Sequence, residues 1–168
     1  MLICGVDPGL ARLGYALLEH EGMRPEVRDF GCLETPAELP LPQRLLFLYR
    51  HLRQVLMVRP QAVAIESLFF NKNTRTAIQV AEARGAILLL CAEIDVPVFE
   101  YTPPQVKQAV VGYGRAEKRQ VQIMLQRTLG LSGLPQPDDA ADALAVAFCH
   151  GQVAQFQRQL QRRGDGIV

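Results

Sequence analysis

The chain opens on a short run, residues 2–7, that is apolar up to a carboxylate: Leu2-Ile3-Cys4-Gly5-Val6-Asp7. Such a run predicts a buried strand. Residues 14–19 and 27–33 predict two more strands. The turns that join these three are short and rich in Gly, Pro and charge, which favours antiparallel neighbours. The Pro-rich segment 35–42 breaks the pattern. From 43 to 58, Leu45, Leu48, Leu52, Val55 and Leu56 recur at helical spacing until Pro60 ends the helix. Residues 62–66 predict an interior strand. Residues 74–94 predict a helix with Ala81, Ala83, Gly85 and Ala86 at its centre, and 96–101 a short strand. A helix starting at Pro103 or Pro104 runs to about 111. After Gly112-Tyr113-Gly114 come helices over 116–129 and 138–152. There is no internal repeat.

Hairpin strands followed by strand–helix–strand units predict an α/β fold. Its sheet is five-stranded and mixed, three antiparallel strands then parallel ones, flanked by helices with right-handed crossovers. Residues 1–152 are expected to form a single domain, and 153–168 a polar, flexible tail.

Length and composition fit this picture. The chain has 168 residues, 49% of them hydrophobic and 21% charged, the profile of one soluble globular domain. Formal net charge is only +1, so a polyanion would have to be held by a local patch. The stretch 103–128 supplies one, with Lys107, Arg115, Lys118, Arg119 and Arg127 against Glu117 alone. Cys4, Cys32, Cys91 and Cys149 are far apart, make no C-x-x-C pair, and read as reduced residues of a cytoplasmic protein. No apolar run approaches the ~18 residues of a membrane span, and no membrane role is expected.

The carboxylates change the picture most. Two apolar strands end on acids, Asp7 and Glu66, and a small-residue helix opens with "DDAADALA". Asp139 and Asp142 are three apart and share a helix face. If the two strands are parallel neighbours, their acidic ends meet at the sheet edge where ligands of open α/β sheets bind. Four converging carboxylates repel one another, and a hard divalent cation relieves that conflict. An all-oxygen set suits Mg²⁺ or Mn²⁺ better than zinc. Two such ions about 3.5–4 Å apart would fit phosphodiester cleavage. Each acid also has an ordinary structural explanation. Asp138, after Pro137, reads as a helix N-cap. Asp139 and Asp142 suit the helix dipole, Asp7 suits a turn, and Glu66 suits a buried ion pair. All of these holding at once is the weaker account, because the segments converge on one edge.

At these residues the chain resembles the RuvC-type Holliday junction resolvases of the ribonuclease H-like superfamily. The likeness spans about residues 2–150. It rests on "GVDPG" with Gly14, "AIESLFF" with Lys72 and Asn73, "AEARGA", "QVKQAVVGYGRAEK" and "DDAADALA", in that order. It implies a ribonuclease H-like fold and a metal-dependent endonuclease that nicks two strands of a four-way DNA junction symmetrically. It implies catalytic, metal-binding carboxylates at Asp7, Glu66, Asp139 and Asp142, with Mg²⁺ as cofactor, two ions per site, and Mn²⁺ able to substitute. Asp138 is an extra acid; alignment of the Asp-Ala-Ala-Asp core selects Asp139 and Asp142. The expected reaction is hydrolysis by activated water, leaving 5′-phosphate and 3′-hydroxyl ends. The resemblance further implies a homodimer and cooperation with a branch-migration motor.

Lys107 and Lys118 match basic positions that the family keeps near the scissile phosphate. Lys118 in the first turn of a helix opposes the dipole but suits a bound anion there. Phe69 and Phe70 beside Lys72, Asn73 and Arg75 read as a base-stacking, DNA-contacting loop; the resemblance selects Phe69 as the DNA-facing one, and Arg119 reads as a further DNA contact. The small-residue stretch of helix 74–94 is the candidate dimer interface; packing on the sheet is the alternative. Three other readings compete. An actin-like ATPase or kinase shares the Asp7-Pro8-Gly9 and Gly14 signature but does not explain Asp139 with Asp142. A ribosomal RNA-processing relative does not need the 66–75 loop. A non-catalytic nucleic-acid-binding module would be expected to lack a carboxylate.

Overall fold

The computed structural model describes residues 1–21, 24–67 and 74–164, with backbone alone at 24, 74–76 and 162–164. Three strands come first: β1 (Leu2–Asp7), β2 (Arg12–Glu21) and β3 (Arg24–Glu34). They pair antiparallel in sequence order, with a bulge in the β2–β3 ladder at Leu17/Leu18. Both hairpin strands are longer than their apolar runs. The ladder takes in polar ends, and Arg12 stands opposite Glu34, a favourable cross-strand charge pair.

Helix α1 (Leu41–Val55) begins two residues before the expected start, because Pro42 is tolerated in a first turn. A 3-10 turn at Leu56–Val58 and Arg59 in the left-handed region close it. β4 (Ala62–Glu66) then lies parallel to β1, and after α2 (Thr74–Glu93) β5 (Val98–Tyr101) lies parallel to β4. The sheet order is β3-β2-β1-β4-β5, the five-stranded mixed sheet expected from the pattern. Helices α3 (Pro103–Val111), α4 (Lys118–Leu129) and α5 (Asp138–Gly164) complete the chain. Gly112 and Gly130 end α3 and α4 with positive φ. The last helix does not stop near 152 but runs on to Gly164. The Gln, Arg, Leu and Ala of that stretch are good helix formers, and Val153 still packs on the core while Phe156 and Leu160 are exposed. Among the described residues no helix is long and apolar enough to cross a membrane.

Strand alternation sends neighbouring residues to opposite faces. Cys4, Val6, Leu13, Leu17, Val63 and Ile65 pack with Leu48 and Leu52 of α1 and Ile87 and Leu90 of α2. Ile3, Ala16, Leu18 and Ala64 pack on the other face with α3, α4 and α5. Gly5, Asp7, Gly14 and Glu66 fall in this second set by the same alternation. α5 meets that face with a small-residue surface, Ala140, Ala143 and Ala147 all fully buried. It sits so close that a Cβ on Gly14 would overlap the backbone carbonyl of Asp139, and one on Gly5 the carbonyl of Ala143. The strand glycines are therefore what lets the helix lie directly on the sheet.

Two further contacts pin the carboxyl end of β4. The Ser67 N–H donates to the Tyr101 carbonyl at 2.8 Å, and the buried Tyr101 hydroxyl bonds His150 Nδ1 at 2.7 Å. Burial holds His150 neutral by pushing its pKa down to about 4. Gly14→Ala and Gly5→Ala are each expected to destabilise the domain by about 3 kcal/mol, because a backbone carbonyl cannot rotate aside. Urea unfolding measures this; a loss below about 1 kcal/mol for both would show that the helix has room to retreat.

Candidate active site

The β1–β4 register pairs Val6 with Ile65, so Asp7 and Glu66 emerge side by side at the carboxyl ends of two central parallel strands. The Gly14 contact fixes the start of α5 against the same end, bringing Asp139 and Asp142 toward Asp7. The electrostatics report this proximity. Burial pushes Asp7 up to about 7, and the charges of Asp142, Glu66 and Asp139 push the same way, against Lys118. Burial and Asp142 raise Glu66, which Lys118 and Lys107 oppose. Burial also raises Asp142 despite its bond to Lys118.

Two cations answer this negative charge from different sides. Lys118, the first residue of α4, donates from Nζ to Asp142 Oδ2 at 2.8 Å and reaches Asp138 Oδ2 at 3.3 Å. It occupies that helix start because Glu117 is the N-cap, its N–H bonded to Gln120 Oε1 at 2.8 Å. From the other side Arg12 Nε meets Asp139 Oδ2 at 2.8 Å. The strand pattern left Arg12 unremarked. Its signal was available: it lies two residues before Gly14 in a strand, hence on the same face.

Asp138 is not the N-cap expected from the sequence. It is the first helical residue, and both its oxygens are engaged, Oδ1 by Gln122 Nε2 at 3.0 Å and Oδ2 by Lys118. Glu66, Lys107, Lys118 and Asp142 line a pocket of ≈ 270 Å³ with Val106 and Val121. Arg119 is exposed beside Lys118. Phe69, Lys72 and Asn73 lie outside the described residues, as does the side chain of Arg75.

The donor set is chemically suited to a hard cation: carboxylate oxygens with no imidazole among them. Asp7, Glu66 and Asp142 are all raised with Lys118 present, by burial first and by neighbouring carboxylates after it. Among the described residues no three His, Cys, Asp or Glu side chains close into a ligand cage; Asp142 and Asp139 are engaged instead by Lys118 and Arg12. The residues fit a divalent cation by chemistry, with the Lys118–Asp142 ion pair as its competitor.

A 3-2-1-4-5 mixed sheet, acids ending its two central parallel strands and further acids opening the helix laid across them, define a ribonuclease H-like nuclease. A sequence profile of the family described as "Crossover junction endodeoxyribonuclease RuvC" matches residues 3–150. The RuvC of Desulfitobacterium hafniense is 54% identical over 151 residues, 89% of this chain and 92% of that one. The structure of Thermus thermophilus RuvC superposes with a TM-score of 0.87 at 36% identity, covering 94% and 97% of the two chains. The same protein in complex with Holliday junction substrate gives 0.86 at 34% identity, covering 93% and 96%. The chain belongs to the RuvC family of crossover junction endodeoxyribonucleases.

The raised Asp7 carries a pH signature. A folded-state pKa near 7 means that the native protein keeps a proton the unfolded chain has lost. Stability therefore falls as pH rises from about 4 to about 7, and the cost is fully present above that. In chelator, Asp7→Asn is expected to stabilise the protein at pH 8 by on the order of 2–4 kcal/mol and to change little at pH 4. Denaturant melts at both values check this. An equal effect at both pH values would show that Asp7 is not held protonated.

Proposed function

We propose that this chain resolves four-way DNA junctions by two symmetric, metal-dependent nicks, one from each active site of a homodimer. The observation that carries the reading is the convergence of Asp7, Glu66, Asp139 and Asp142 at one sheet edge, in a chain of the RuvC family. The junction complex of the Thermus thermophilus relative supports the substrate. The family match supports this reading over the actin-like, RNA-processing and non-catalytic ones.

In this reading Asp7, Glu66, Asp139 and Asp142 hold the cation, Mg²⁺ with Mn²⁺ as substitute and two ions per site. When bound, the ions activate water and stabilise the leaving oxygen. Asp7 on its strand end and Asp142 on α5 are fixed by rigid elements, so the carboxylates need little reorganisation. Lys118 leaves Asp142 for the scissile phosphate, and Lys107, on the same pocket wall, holds a second phosphate oxygen. Phe69, Lys72, Asn73 and Arg75 contact the junction strands, with Arg119 on the rim. Cooperation with a branch-migration motor and a cytoplasmic location are the family's implications.

The dimer has its own support. α2 turns Ala83, Ile87 and Leu90 to the core. Its outer side carries Ile78 (55% exposed), Ala81, Gly85 and Leu89 (66% exposed), a stripe at helical spacing. A Cβ on Gly85 would meet nothing within 4 Å. The stripe adjoins an apolar groove formed with Leu45, Leu46 and Tyr49 of α1. This is a surface on which a second copy can pack closely.

On a labelled, migratable four-way junction the protein is expected to make paired nicks with Mg²⁺ or Mn²⁺ and none in EDTA. Linear duplex should remain intact, and Asp7→Asn should lose at least about a hundredfold in rate. Cutting in EDTA, or equal cutting of duplex, would refute the reading. For the interface, Gly85→Glu is expected to yield a folded monomer in sedimentation, since the site is open within one chain. A dimer that survives it lies elsewhere.

A further inference from the structure

Arg12 is a charged side chain at the site that the strand ends, the helix motif and the family's basic positions do not account for. It is held from two sides. Its Nε meets Asp139 Oδ2 at 2.8 Å, and its terminal nitrogen meets Glu34 Oε1 at 3.3 Å. The second contact is built into the sheet, because Arg12 and Glu34 are register partners of β2 and β3. Cys32, the register partner of Gly14, adds a weak thiol contact to the same Asp139 oxygen at 3.9 Å. All the described partners of Asp139 therefore gather on Oδ2. Asp138 next to it has both oxygens engaged.

We infer that Arg12 is a positioning residue: braced by Glu34, it holds Asp139 by one oxygen so that the other stays available to a divalent cation. This rests on the reading of Asp139 as a metal ligand. Two effects of Arg12 oppose each other. Its positive charge repels a cation, but the side chain is 45% exposed, and exposed charges interact weakly through water. Its directional hydrogen bond fixes a carboxylate in the first turn of a helix. Outer partners of metal-ligating carboxylates typically contribute 10–100-fold in metal affinity or activity. Orientation is therefore the larger effect, and removing Arg12 weakens metal binding even though it removes a positive charge. The brace matters for the same reason. Without Glu34 the guanidinium has a second direction in which to swing, toward solvent.

The test is Mn²⁺ binding to the DNA-free protein, read from the paramagnetic resonance signal of unbound Mn²⁺ at fixed pH and ionic strength. Arg12→Met is expected to weaken binding by about tenfold. Arg12→Lys should recover only part of it, since the charge returns without the planar fork. Glu34→Gln should weaken binding in the same direction by a smaller factor. In an Asp139→Asn background, Arg12→Met should produce no further loss. Unchanged or tighter Mn²⁺ binding in Arg12→Met would overturn the inference and leave Arg12 a mere counter-charge. Weakened junction binding with unchanged Mn²⁺ affinity would also overturn it, in favour of a phosphate contact. If Asp139→Asn alone leaves Mn²⁺ binding intact while Asp7→Asn abolishes it, the ligand assignment of Asp139 fails and this inference falls with it. Melts of each variant in chelator separate loss of the ligand position from loss of the fold.

Discussion

The site depends on how closely α5 lies on the sheet. Side chains normally keep a helix about 10 Å from a sheet surface, and at that distance carboxylates from the two layers would be separated by a layer of methyl groups. Here Gly5 and Gly14 remove that layer from the strands, and alanines at 140, 143 and 147 remove it from the helix. Backbone then meets backbone at Gly14 and Asp139. Asp142 follows one turn later, where it acts strongly enough on Asp7 to be the largest charge raising it. The glycine that reads as part of a phosphate-loop signature thus has a purely geometric role: it sets the distance between the strand acids and the helix acids.

Closeness has an electrostatic cost, and the fold answers it asymmetrically. Lys118 comes from a helix start on one flank and Arg12 from a strand on the other. Neither reaches Asp7, which is pressed up to about 7 by burial and its neighbours. The carboxylate raised to about 7 lies on the middle strand of the sheet. A cation entering between Asp7 and its neighbours gains the repulsion that folding left in place. Gly14→Ala and Asp7→Asn probe the two halves of this arrangement, one by spoiling distance and the other by removing charge.

Much of this was legible in the residues themselves. Apolar runs ending on Asp7 and Glu66, the three-residue spacing of Asp139 and Asp142, and the hairpin-then-crossover order are local patterns, and each has the structural outcome that its physics dictates. What escaped was cross-strand. Arg12 looks like a loop residue until the β2–β3 register extends two residues beyond the apolar run and sets it opposite Glu34. Asp138 looks like an N-cap until the Gln122 amide, from another helix, claims its carboxylate. The persistence of α5 to Gly164 follows from propensity, yet a hydrophobic pattern reads poorly a helix end whose Phe156 and Leu160 stay exposed.

The two faces of the sheet carry different tasks, and β4 connects them. Its side chains alternate between Ala64 and Glu66 on the α5 face and Val63 and Ile65 on the face covered by α1 and α2. The chain leaves Glu66, is anchored once at Ser67 by Tyr101, and reaches the start of α2 at Thr74. The helix whose outer stripe suits a second copy therefore begins eight residues after Glu66 in the chain. In a dimer built this way, the spacing of the two sets of carboxylates is set by α2, whereas the geometry within each set is set by α5. A symmetric pair of cuts by such a dimer would draw on both, and the sheet separates them by placing α2 and α5 on opposite faces.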